Sequence, residues 1–104
     1  MKINYNQMMK QAQKMQADMA KAQENLKNEI IETTSGGGTV KVTANGHAEI
    51  LSIAINPEVV NPDDTEMLQD LILVAVNEAS EQAKELQAEL MQKMTGGLNL
   101  PGMI

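Results

Sequence analysis

The chain has 104 residues, no cysteine, one aromatic side chain (Tyr5) and a formal net charge of −6. These totals exclude a disulfide framework, a thiolate metal site and a core built on stacked aromatics. They fit a single domain over residues 1–104 with an aliphatic, methionine-filled core, of the thin kind that oligomerisation often completes.

No stretch of the sequence reaches ~18 uninterrupted apolar residues, so no transmembrane helix is expected. The first residues are polar and lack the apolar stretch of a signal peptide, so a soluble cytoplasmic protein is expected. The charge is unevenly spread: residues 1–28 carry five lysines against two acids, residues 29–60 one against four, and residues 61–104 two against eight. An acidic total argues against a nucleic-acid partner. The first segment is nevertheless cationic, and at physiological salt charges more than ~8 Å away are largely screened, so it can act locally.

In chain order, residues 4–28 contain no Gly or Pro, and Tyr5, Met8, Ala12, Met15, Met19, Ala22 and Leu26 step by threes and fours. That spacing predicts one long helix with a narrow, coiled-coil-like seam. At 1.5 Å per residue it would extend about 37 Å, more than a small sheet can cover, so part of it should project or meet another chain. Three strands are predicted next: residues 29–34, 39–44 and 47–55. "SGGG" (35–38) separates the first two, and Asn45-Gly46 separates the second pair.

Asn-Gly between apolar-patterned runs is a strong signal for a two-residue type I′ hairpin. That loop would set Ala44 opposite His47, Val42 opposite Glu49 and Val40 opposite Leu51. Val40, Val42, Leu51, Ile53 and Ile55 would then share one face, and Thr39, Lys41, Thr43, Ile50 and Ala54 the other. Ile50 has no business on a solvent face, so that surface is expected to be covered by another chain.

The last element is a second helix predicted over about 62–95, with Asn61 as cap, Pro62 at its first position and Asp63, Asp64 and Glu66 at the positive end of the dipole. Its first half is apolar almost all round and should form the core. Its second half narrows to a seam of Ala79, Ala83, Leu86 and Leu90, and Gly96-Gly97 end it. The apolar tail 98–104 either docks or stays mobile. Helix, three antiparallel strands and helix make an α+β two-layer unit.

Four groups of residues bear on chemistry. Gly36-Gly37-Gly38 lie between two strands and lack the Lys-Ser/Thr of a phosphate-binding loop, so they read as a hairpin turn. His47 is the sole histidine and has no companion for a zinc set or an activated serine, so it reads as an exposed turn residue. Glu78, Glu81, Glu85 and Glu89 form one stripe of the second helix; with no Glu-x-x-His pair, they read as a solvated face.

Lys10, Lys14 and Lys21 are the remaining signal. At 100° per residue they fall within about 40° of each other, nearly opposite the methionine seam. An ordinary solvated face, pairing with the acidic stripe, and a phosphate-binding ridge all fit that spacing. The chain has no arginine, the commonest base-reading residue, so any DNA contact should be mostly to phosphates and weakly sequence-selective. Nothing in the chain points to an enzyme, a cofactor, a metal or a small-molecule substrate. An alternative to DNA is a protein-interaction module that uses the adaptable methionine seam.

Four stretches taken together, "MKQAQKMQADMAKAQENL", "GGGTVKVTANGHAEILSIAINPE", "LQDLILVAVNEA" and "MTGGLNLPG", resemble the YbaB/EbfC family of bacterial nucleoid-associated proteins over nearly the whole chain. The resemblance implies a small homodimer with strands near its centre and long helices projecting like tweezers. It further implies binding of duplex DNA with little sequence preference, and roles in nucleoid organisation and gene regulation. The matching DNA-contact surface here is the first helix, with Lys10, Lys14 and Lys21 as its charges. The end of the second helix offers only Lys84 and Lys93 among many acids.

Overall fold

The computed structural model describes residues 4–96. The elements follow in the order α1 (Tyr5–Asn28), β1 (Ile30–Ser35), β2 (Val40–Asn45), β3 (Ile50–Ile55) and α2 (Thr65–Gly96). The strands form one antiparallel sheet in the order β1-β2-β3, and α2 packs on β1 and β2. The α+β, two-layer expectation holds. The apolar tail lies outside the described residues.

α1 starts where expected. Asn4 has extended backbone angles, and its side-chain oxygen accepts from the Gln7 amide at 3.2 Å, which satisfies one of the orphan donors of the first turn. Gly36, Gly37 and Gly38 form a single helical turn that joins β1 to β2, all with positive φ (59°, 68° and 91°). A side chain strains at such angles. At Gly36 it would also collide, since a Cβ there would sit 2.5 Å from Thr39 Oγ1 and 3.0 Å from a Leu71 methyl.

The second hairpin differs from the expectation. The pairs are Val40↔Ile55, Lys41↔Ala54, Val42↔Ile53 and Thr43↔Ser52, then Ala44↔Ile50, with an irregularity between Thr43 and Ala44. The loop holds three residues, Gly46, His47 and Ala48, and Leu51 is the extra residue of a bulge. The Ala48 amide donates to Asn45 O at 2.9 Å, and Ala48 itself carries the positive φ, 65°. This is the three-residue loop with a left-handed third position rather than a two-residue I′ turn. The bulge turns Ile50 onto the same face as Val42 and Ile53, so the predicted face of Ile50 is corrected, and with it the predicted pairing of Val40 with Leu51 and of Val42 with Glu49.

The start of α2 is also corrected. Asn61 caps a preceding turn instead, accepting from the Asp63 amide at 3.0 Å. The helix begins three residues later, with Asp64 Oδ1 accepting from the Met67 amide at 3.2 Å.

The core lies between α2 and the faces of β1 and β2. Ala75, Ala79 and Ala83, four residues apart, form a stripe of small side chains against Val40, Val42, Ala44 and Ile31. Small residues there let the helix axis come close to the sheet, close enough for strand hydroxyls to reach helix carbonyls. Thr33 Oγ1 donates to Ala75 O at 2.7 Å and Ser35 Oγ to Leu71 O at 2.6 Å. Each such bond contributes about 1 kcal/mol net. The first half of α2 is not buried all round: Met67, Leu73 and Val74 are exposed, because α2 meets only one layer.

Candidate nucleic-acid interface

α1 leaves the body of the protomer. Leu26, in its last turn, is its one buried residue. Residues 5–21 are exposed on every side among the described residues. The molecule measures 76 × 27 × 16 Å, and its radius of gyration is 20.6 Å. A compact chain of this length would have a radius near 13 Å. The helix is therefore an arm, as the excess of its length over the sheet predicts.

Lys10, Lys14 and Lys21 all lie on the arm and all are exposed. Among the described residues none of them makes an ion pair; the ion pair there joins Lys41 and Glu32 at 3.6 Å on the outer face of the sheet. Pairing between the arm lysines and the acidic stripe, left open by the sequence, does not occur within the protomer. Glu78, Glu81, Glu85 and Glu89 are exposed, as expected. Glu85 and Glu89 join Glu29 and Glu32 along an open groove between β1 and α2. Four carboxylates there repel a phosphate backbone, while the arm carries the opposite sign.

The opposite side of the arm is the seam. Tyr5, Met8, Met15 and Met19 are exposed, and Met9 beside them is as well. Ala22 and Leu26 close the seam at its foot, where they line a small depression with Leu86, Leu90 and Lys93 of α2.

The root of the arm is tied to the tip of the second hairpin. The Gly46 amide donates to Leu26 O at 2.9 Å, and the Gly46 carbonyl accepts from Gln87 Nε2 of α2 at 2.8 Å. The His47 ring lies with Nε2 2.6 Å from Gln23 O. His47 is exposed, as the sequence predicts; the contact with α1 is one that local pattern does not carry. No helix of the described residues is long and apolar enough to cross a membrane.

The sequence matches the YbaB/EbfC DNA-binding family over residues 1–98. The chain belongs to that family. It is a family of DNA-binding proteins rather than of enzymes, in line with the absence of any catalytic pattern in the sequence. A nucleoid-associated protein of Desulforamulus reducens is 62% identical over 100 residues, covering 96% of this chain and 95% of that one. A nucleoid-associated protein of Ruminiclostridium cellulolyticum is 60% identical over 101 residues, covering 96% and 88%. The crystal structure of an uncharacterized protein from Helicobacter pylori superposes with a TM-score of 0.80 at 24% identity, over 90% of this chain and 99% of that one. That likeness shows that the two share a fold.

Proposed function

We propose that this member of the YbaB/EbfC family is a nucleoid-associated protein of the cytoplasm that binds duplex DNA as a homodimer. Its DNA contacts are phosphate contacts from Lys10, Lys14 and Lys21. The observation that carries this reading is their common placement: three exposed ammonium groups, none ion-paired among the described residues, on one side of an arm that projects from an acidic body. Phosphate contacts carry no sequence information directly, and the chain has no arginine to read base edges, so sequence preference is weak. Coating of this kind serves nucleoid organisation and broad gene regulation; the relatives' names support the nucleoid association.

The dimer rests on β3. It is an edge strand, and Ile50, Leu51, Ile53 and Ile55 along it are all exposed in the protomer. A contiguous apolar edge strand invites a second chain, and a second copy doubles the arm lysines to six.

The test is binding of a random-sequence duplex at low salt, followed by fluorescence anisotropy, with the mass of the protein measured in the same buffer. Saturable binding by a two-chain particle is expected. No binding at low salt would end the reading.

The exposed seam of Tyr5, Met8, Met15 and Met19 supports a second reading, a surface for a helix of another protein. Replacing Lys10, Lys14 and Lys21 with Gln tests the first reading. Loss of DNA binding from an intact two-chain particle supports it. DNA binding that survives the triple replacement takes the phosphate contacts away from these lysines and removes the support that the arm charges give to it over the seam.

A further inference from the structure

We propose that the tip of the β2–β3 hairpin is a latch that fixes the direction of α1, with Gly46 and His47 as positioning residues for the arm. The use of that direction in DNA binding rests on the function proposed above; the direction itself does not.

The arm has few other supports. Apart from Leu26, no residue of α1 is buried among the described residues, and a helix held at one end pivots there unless polar contacts fix its azimuth. Two such contacts come from the hairpin tip. Gly46 is engaged on both sides, its N–H by Leu26 O of α1 and its C=O by Gln87 of α2, so one residue holds the two helices together. His47 adds a second point on α1, at Gln23 O, three residues before Leu26. Two points along the axis define a direction where one would leave a pivot. A carbonyl oxygen only accepts, so the ring nitrogen that faces it carries the proton.

The tip is itself stiff. The buried Asn45 side chain accepts from the His47 amide at 3.0 Å and from the Glu49 amide at 3.1 Å, and donates to Glu49 Oε1 at 2.8 Å. Ala48 turns the chain back with its φ of 65°. The close approach also explains why position 46 has no side chain: a Cβ there would lie 2.5 Å from Leu26 O and 3.0 Å from a Leu26 methyl. Both atoms belong to the root of α1, so an added methyl group must push the arm away.

The chain has no cysteine, so two can be introduced cleanly, as Gln11→Cys on the arm and Thr34→Cys on the sheet. Spin labels at these positions report the arm's direction by pulsed dipolar spectroscopy. Labelled chain is refolded with an excess of unlabelled chain so that only distances within one protomer are read. Gln11 lies about 18 Å along the helix from Gln23, so a swing of about 20° moves it by about 6 Å.

His47→Ala and Gly46→Ala are each expected to spread the distance distribution by about that much, with helix content by circular dichroism unchanged. His47→Gln, whose amide also donates, is expected to restore the narrow distribution. Distributions in both variants as narrow as in the parent protein would overturn the latch. Failure of His47→Gln to restore order would overturn the hydrogen bond as its cause. Should the unmodified protein fail to bind DNA, the proposed function falls and the distance measurement still decides the latch.

Discussion

Val42 on β2 and Ile53 on β3 stand directly opposite each other in the sheet, yet Val42 is 0% exposed and Ile53 is 44% exposed. Opposed residues of an antiparallel pair point to the same face, so the two side chains look toward the same layer. α2 covers that layer over β1 and β2 and stops short of β3. Val40 and Ile55 repeat the relationship two pairs along, with Val40 fully buried and Ile55 exposed. The sheet is thus covered on two strands and open on the third.

If a second copy closes that opening, Ile53→Lys separates the copies without unfolding the protomer, because the side chain has little to lose within one chain. A charged side chain on an edge strand opposes the pairing of edges. The mass by sedimentation equilibrium is expected to fall from two chains to one, with far-UV circular dichroism preserved. An unchanged two-chain mass would place the interface elsewhere.

Thr33→Val tests the contact between helix and sheet. The hydroxyl of Thr33 donates to Ala75 O inside the core. The replacement keeps the shape and deletes the bond, while the Ala75 carbonyl keeps its place in the α2 ladder. A loss of about 1 kcal/mol in urea unfolding is expected, with dimerisation and DNA binding unaffected.

Hydrogen exchange should divide the two helices. The residues of α1 before Lys21 are all exposed in the protomer, whereas Ala75, Ala79 and Ala83 lie at the centre of the core. Protection of an isolated helix is marginal, and protection in a packed one approaches global stability. Exchange in the first half of α1 is expected to outpace that around Ala79 by several orders of magnitude in the absence of DNA. Equal protection of the two would show that the arm is covered along its length.

Much of this was legible from residue pattern. The arm follows from the methionine seam, the absence of Gly and Pro, and a helix too long for a small sheet to cover. The first hairpin follows from three successive glycines between alternating runs. The second hairpin departs from its pattern because Asn-Gly is ordinarily a signal about φ. Here Gly46 answers to the approach of Leu26, the positive φ falls on Ala48, and a bulge at Leu51 is invisible in a strand that is apolar nearly throughout. Pro62 drew the start of α2 forward, whereas the side chain that caps it is Asp64. The His47 contact with Gln23 spans 24 positions in the chain, beyond the reach of any local pattern. The lysine stripe was legible as a stripe. That its charges make no ion pairs among the described residues is not readable from spacing, since the acidic stripe of α2 is an equally good match.

The salt dependence of DNA binding measures the central claim most directly. Six arm lysines in a two-chain particle, each neutralising one phosphate, give a slope of log K against log salt of about −5. The protein with Lys10, Lys14 and Lys21 all replaced by Gln is expected to approach zero slope and to lose measurable affinity, with its melting temperature unchanged. A slope in the triple variant as steep as in the parent protein would contradict the account, because the phosphates would then be held by groups other than the three lysines of the arm.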